Sequence, residues 1–253
     1  MKPDWQALRA GEVRIGSFLS TGYPVNAEIV GRAGFDFVVI DLEHGMGSER
    51  EVLTQLQVLE ATPAQAVVRV ESHQAQRVHR ILDLGAHGIM FPRVSTADQA
   101  RACVTAMRYP PDGVRGVAVL VRASGYGREF TEYRDTSKTA LLTILQIETA
   151  EAVENVEQIA EVEGVDVLFI GPMDLSTSLG TFRQYDHPKF VEAVNRTVDA
   201  ARRNGRVLGI LLGNPDDYRK YFEWGFRLIL CGTDTSFLQN AARATAEAMR
   251  KAI

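Results

Sequence analysis

At 253 residues, with 45% hydrophobic and 24% charged side chains, the chain has an ordinary globular composition and is long enough for one large α/β barrel or two smaller domains. Its formal charge of −4 offers no basic footprint for nucleic acid or an anionic membrane surface, and no apolar run approaches the roughly 20 residues a membrane span requires. Cys103 and Cys231 make neither a disulfide framework nor a metal knuckle, and Met1-Lys2-Pro3-Asp4-Trp5 lacks the apolar core of a signal peptide, so a cytoplasmic protein is expected.

In chain order, strand-like and helix-like segments alternate. Arg14 to Leu19 reads as a strand, and Pro24 suits the first turn of a helix running to about Ala33. Phe35 to Leu42 is a second strand leading into Glu43-His44-Gly45. Ser48 and Glu51 then have capping-box spacing before a helix with Val52, Leu53, Leu56 and Leu59 on one face. Gln65 to Val70 is the third strand, with Arg69 near its end. Val78, Ile81 and Leu82 stripe the next helix, which Gly85 stops. His87 to Val94 is the fourth strand, and Ser95 with Asp98 starts a helix reaching about Met107.

From Arg108 to Lys138 the rhythm fails, and the stretch reads as a long functional loop. Leu141 to Ile147 is a fifth strand, Ala150 to Glu161 a helix and Val165 to Ile170 a sixth strand. Lys189 to Asn204 is helical, Arg206 to Leu212 is a seventh strand, and Asn214-Pro215 opens a helix. Phe226 to Cys231 is the eighth strand, and Phe237 to Ile253 closes the chain as a helix. Eight strands each followed by a helix predict a (β/α)₈ barrel. The open doubly wound sheet is the competitor, but no GxGxxG follows the first strand. No linker divides the chain, so one domain over 1–253 is expected.

In such a barrel the carboxyl ends of the strands share one rim, where ligands bind. Glu148 closes the fifth strand and Asp174 follows the sixth. Either acid alone could cap the helix after it; the pair suits a divalent cation with oxygen ligands. The same rim gathers Asp41, Glu43, His44, Arg69, Arg93 and Asp234. An imidazole moves protons, a guanidinium holds a carboxylate or an enolate, and a cation polarises a carbonyl. Together they point to proton or carbon–carbon chemistry beside the carbonyl of a 2-oxo acid. Arg93 and Asp234 read as structural, and Arg69 reads equally as an ion-pair partner of Asp41 or Glu43. His73, His79, His87 and His187 have no companion ligands at metal spacing, which disfavours zinc and favours Mg²⁺ or Mn²⁺.

The segments FDFVVIDLEHG, VVRV, LDLGAHGIMFPRV, RYPPDGVRG, RASGYG, LLTILQIET and VLFIGPMDLSTSLG, in that order, resemble the HpcH/HpaI family of metal-dependent pyruvate aldolases over about residues 10–240. The resemblance implies that Glu148 and Asp174 bind Mg²⁺ or Mn²⁺, with Co²⁺ as an alternative, and that a 2-oxo acid chelates the ion. It implies His44 as general base, Arg69 as stabiliser of the enolate, Gln146 as a substrate contact, and the backbone at Met173 and Asp174 as receiver of the substrate carboxylate. It further implies that Asp83 reaches from a neighbouring subunit to orient His44, in a hexamer built as a trimer of dimers with the last helix exchanged. The substrates would be a 2-oxo acid and an aldehyde. The chain departs from the family at His87, where Gln is frequent, and at Glu71-Ser72-His73, where a proline and a tryptophan are frequent; both bear on aldehyde choice. Two other readings are a citryl- or malyl-CoA lyase-like or phosphoenolpyruvate-using barrel, with Arg108, Arg115, Arg122 and Arg128 as a phosphate groove, and a non-catalytic binder of oxo acids.

Overall fold

A computed structural model describes residues 5–252; the leader reading of Met1 to Asp4, and Ile253 at the end of the last helix, lie outside them. The apolar runs pair side by side, all parallel, in the order β1-β2-β3-β4-β5-β6-β7-β8, and the sheet closes on itself. The strands are β1 (Arg14–Leu19), β2 (Phe37–Asp41), β3 (Gln65–Arg69), β4 (Gly88–Phe91), β5 (Leu142–Ile147), β6 (Val167–Ile170), β7 (Val207–Leu212) and β8 (Phe226–Thr233). Side chains alternate between two cores. Val38, Ile40, Val68, Ile89, Leu145 and Ile170 face the helices, whereas Phe37, Val39, Val67, Met90, Ile144 and Phe169 fill the barrel. Both sides are dry, which is why the strands read as unbroken apolar runs.

The outer ring comprises α2 (Pro24–Gly31), α3 (Glu49–Leu59), α4 (Ala75–Asp83), α5 (Ala97–Met107), α6 (Phe130–Ala140), α7 (Ala150–Glu154), α8 (Val156–Ala160), α9 (Pro172–Ser178), α10 (Pro188–Arg203), α11 (Tyr218–Trp224) and α12 (Asp234–Lys251). Ahead of β1, a short helix α1 (Gln6–Arg9) seals the amino-terminal end of the barrel. Trp5 and Leu8 are buried there with the barrel residues. The Trp5 ring meets Phe37 edge-on at 6.0 Å between centroids, and its Nε1 donates to the His87 carbonyl at 2.9 Å. Arg9 donates to Asp166 and to the carbonyls of Thr139 and Leu141. With that end plugged, the opposite rim is the open one.

Several expected elements differ. The stretch 108–138 is not all loop: a 3₁₀ turn spans Arg122–Ser124, and α6 begins at Phe130. Its sequence FTEYRDTSKTA has no apolar stripe because it docks through aromatic edges and a cation. Phe130 meets Tyr109, and the Tyr133 ring lies 5.2 Å from the Arg115 guanidinium. The helix expected over 150–161 breaks at Asn155, whose amide donates to the Ser95 carbonyl at 2.9 Å. β4 ends at Phe91, short of the expected Val94, since Pro92 has no N–H to give the ladder and Arg93 turns left-handed at φ 53. The last helix starts at Asp234 rather than Phe237, with Thr233 as its cap. Asp234 is its buried residue and Phe237 stacks on Phe35, but Leu238 and Met249 stay about two-thirds exposed, so the chain leaves part of this helix's apolar side uncovered.

Candidate active site

The first group of rim residues is set by register. Asp41 and Arg69 are paired positions on β2 and β3, and the guanidinium meets the carboxylate with two hydrogen bonds, Nε at 2.8 Å and Nη2 at 2.7 Å. Nη1 lies 3.1 Å from Glu43, and the guanidinium sits over the Phe18 ring at 4.6 Å. Burial works against the Arg69 charge, but Asp41 and then Glu43 outweigh it and hold it above its usual range. Asp41 also accepts from the backbone N–H groups of Glu43 and His44, which winds the Glu43-His44-Gly45 turn tightly around it. Gly45 is required there, because a Cβ would stand 2.1 Å from the Asp41 carbonyl oxygen. The turn leaves His44 exposed, with its Nε2 3.8 Å from Glu43.

The second group closes β5 and β6. Glu148 is 3% exposed and accepts from the Arg93 N–H at 2.7 Å and from the Gln146 amide at 2.6 Å. Burial pushes its carboxyl up to about 7, with Asp174 and Glu43 adding to the rise and the Arg93 N–H and Arg69 opposing it. Burial also raises Glu43, against Arg69 and His44. Asp174 lies in the first turn of α9, exposed to the mouth. Neither acid caps a helix. Thr149 caps α7, accepting from Ala152 N–H, and Gly171 begins α9, where a Cβ would meet Glu148 Oε2 at 2.6 Å.

Two carboxylates in mutual repulsion, one nearly buried, form an oxygen site short of positive charge. Arg69 is already engaged by Asp41 and Glu43, and the Gln146 Oε1 beside Glu148 is buried without a partner. That donor set fits a hard divalent cation. Among the described residues no group of three or more His, Cys, Asp or Glu could hold a metal. A site of this kind leaves coordination positions to water and substrate, as is usual for Mg²⁺.

The structure thus brings Asp41, Glu43, His44, Arg69, Gln146, Glu148 and Asp174 to one mouth, with Met173 44% exposed at the start of α9. Asp83 stands elsewhere. It ends α4, on the side where β4 begins, and pairs at 2.8 Å with the fully buried Arg115, not with His44 of its own chain. Asp234 is structural: it accepts from Ser20 N–H, from the Thr21 hydroxyl and N–H, and from Thr235 N–H. Arg93 matters through its backbone, which a reading of side chains misses. Neither cysteine is in a disulfide, and burial pushes the Cys103 thiol up to about 12. No described helix is long and apolar enough to cross a membrane.

The family model described as HpcH/HpaI aldolase/citrate lyase matches residues 14–241. A 4-hydroxy-2-oxo-heptane-1,7-dioate aldolase of Escherichia coli is 39% identical over 241 residues, 95% of this chain and 92% of the relative. A 5-keto-4-deoxy-D-glucarate aldolase of Klebsiella pneumoniae is 36% identical over 245 residues, 97% of this chain and 95% of the relative. The crystal structure of an HpcH/HpaI aldolase/citrate lyase family protein from Burkholderia cenocepacia superposes with a TM-score of 0.92 at 39% identity, covering 97% of this chain and 98% of the other. With the family model matched over residues 14–241 and relatives aligned over nearly the whole length, the chain belongs to the HpcH/HpaI aldolase/citrate lyase family.

Proposed function

We propose that this chain is a carbon–carbon lyase that reversibly cleaves a 4-hydroxy-2-oxo acid to pyruvate, or a close 2-oxo acid, and an aldehyde. The observation that carries the reading is the convergence at one rim of a guanidinium braced by two carboxylates, an exposed imidazole and a buried carboxylate near a second acid. The aldolase names of the two relatives support it.

In the cleavage direction His44 takes the proton of the 4-hydroxyl group. The C3–C4 bond then breaks, its electron pair stays with the keto-acid fragment, and the aldehyde leaves. The fragment is the enolate of pyruvate, whose C3 takes up a proton; condensation runs the same steps backwards. Arg69 donates from Nε and Nη2 to Asp41 and faces Glu43 with Nη1 in an ion pair, which leaves N–H groups on the terminal nitrogens for the enolate oxygen. The two ion pairs hold the fork in place before charge develops, so little reorganisation remains for the reaction itself. Glu148 and Asp174 would hold a divalent cation, Mg²⁺ or Mn²⁺ with Co²⁺ as an alternative, which when bound polarises the substrate's keto carbonyl as a Lewis acid. The Gln146 side chain would contact the substrate. The N–H groups of Met173 and Asp174, at the open first turn of α9, would receive its carboxylate.

Asp83 of a neighbouring subunit would orient His44 in a hexamer, a trimer of dimers with α12 exchanged. The uncovered apolar side of α12 supports such an exchange.

The test is proton exchange of the pyruvate methyl group in D₂O, followed by NMR, together with condensation of pyruvate with an aldehyde panel. Exchange is expected with Mn²⁺ or Mg²⁺ and is expected to stop with EDTA; a binder without catalysis would show none. Arg69→Lys, which cannot reproduce the fork, should lower kcat by about 10²–10³-fold. His44→Ala and Glu148→Ala should each abolish most turnover while the barrel stays folded. Full turnover in EDTA would sink the cation assignment.

A CoA-ester lyase would need a basic groove in the 108–138 stretch. Arg115 is fully buried, Arg122 binds the Leu84 carbonyl and Glu60, and Arg108 faces Glu163. Three of the four cations of that set are thus engaged within the chain and Arg128 alone stands exposed, which supports the free 2-oxo acid as substrate.

A further inference from the structure

The loop after β3 carries His73, a residue that the aldol chemistry does not use. His73 is half-buried, with its ring edge-on to Phe91 at 6.2 Å between centroids. Its Nε2 lies 2.5 Å from the Pro92 carbonyl oxygen. A carbonyl oxygen only accepts, so Nε2 carries the proton and donates. The Pro92 carbonyl and the Arg93 N–H are opposite ends of one planar peptide group. The far end of that group donates to Glu148 Oε1 at 2.7 Å. A continuous chain therefore runs from imidazole through a single peptide to the buried carboxylate.

The peptide does not take this orientation freely. Arg93 sits at φ 53, a left-handed conformation that costs a non-glycine residue about 1–2 kcal/mol. Such strain persists where the surroundings over-determine it. His73 supplies that constraint on one end, and Glu148 receives the benefit on the other. Hydrogen bonds at the two ends of one peptide also polarise each other, so accepting from His73 makes the Arg93 N–H a stronger donor.

We infer that His73 is a positioning residue for Glu148, holding the Pro92–Arg93 peptide turned so that its N–H meets the carboxylate and the carboxylate faces the cation site. The inference rests on the reading of Glu148 as a cation ligand.

The test titrates the metal-free full-length protein with Mn²⁺ by calorimetry, without substrate or turnover. His73→Phe keeps a ring against Phe91 and deletes the donor, whereas His73→Gln returns an N–H. The phenylalanine variant should bind Mn²⁺ about tenfold more weakly, the low end for an outer partner of a metal ligand. The glutamine variant should recover most of the loss. Hydrogen exchange of the metal-free protein should be faster at the Arg93 amide in His73→Phe, with the strand amides of β4 and β5 unchanged. Should that variant not fold, His73→Met gives the same readout. If Glu148→Gln abolishes Mn²⁺ binding while His73→Phe leaves the dissociation constant unchanged, this inference falls alone. If Glu148→Gln binds as tightly as the wild type, the cation site falls and takes the inference with it.

Discussion

Glu148 is held by the Arg93 N–H and the Gln146 amide, yet burial lifts its carboxyl from 4.5 to about 7. At about 1.4 kcal/mol per pH unit, ionising it inside the fold costs up to about 3 kcal/mol. Because the folded value is the higher one, stability is retained below pH 4.5 and is lost as pH rises through 7. Glu148→Gln should therefore raise the thermal midpoint of the metal-free protein at pH 8 and remove the further rise that Mn²⁺ gives the wild type. His87 works in the opposite sense. Burial pushes it from 6.5 down to about 4, and its Nδ1 accepts from Ala66 N–H. The unfolded chain binds the proton more readily, so stability is full above pH 6.5 and falls as pH drops toward 4. His87→Gln should shrink the loss between pH 7 and pH 5 by about 2 kcal/mol, measured by urea unfolding at each pH. Of the mouth's acids, Glu148 and Asp174 were legible as residues that each close an apolar run. The Arg93 N–H was not, because a backbone donor in a left-handed turn leaves no mark in a side-chain pattern.

At the scale of elements, α1 had no signature. Four residues are too few for a helical period, and its value lies in two side chains, Trp5 and Leu8, that fill the barrel's amino-terminal end. Trp5→Ala should cost about 3–5 kcal/mol of stability in denaturant unfolding. The KM for pyruvate should stay unchanged, since the plug is at the end away from the mouth. α6 was missed for a related reason. Its docking uses Phe130, Tyr133 and the buried Arg115 rather than an aliphatic stripe, and a cation held between the Tyr109 and Tyr133 rings looks like surface charge in a sequence. By contrast β5 and β6, dry on both faces, were plain as dense apolar runs.

For the whole molecule, Asp83 and α12 pose one question. Asp83 does not reach His44 within its chain, and beyond Phe237, which stacks on Phe35, the apolar residues Leu238 and Met249 of α12 are not covered by their own barrel. If neighbouring subunits complete the site, mixing inactive His44→Ala and Asp83→Ala proteins, with subunit exchange, should restore part of the activity. Some mixed sites then combine an intact His44 with an intact Asp83. No recovery after demonstrated exchange would remove Asp83 from the site. Leu238→Asp should likewise shift sedimentation toward smaller species, because it places a charge on the uncovered face.

By itself the sequence determined the barrel and the residue types at its mouth, since strands dry on both faces and helices with one apolar stripe are local patterns that each segment carries alone. Only the tertiary structure decided how those residues are coupled. The Asp41–Arg69 register, the peptide between His73 and Glu148, and the separation of Asp83 from His44 all join positions far apart in the chain. Closure of the barrel sets those distances, and no local pattern records them.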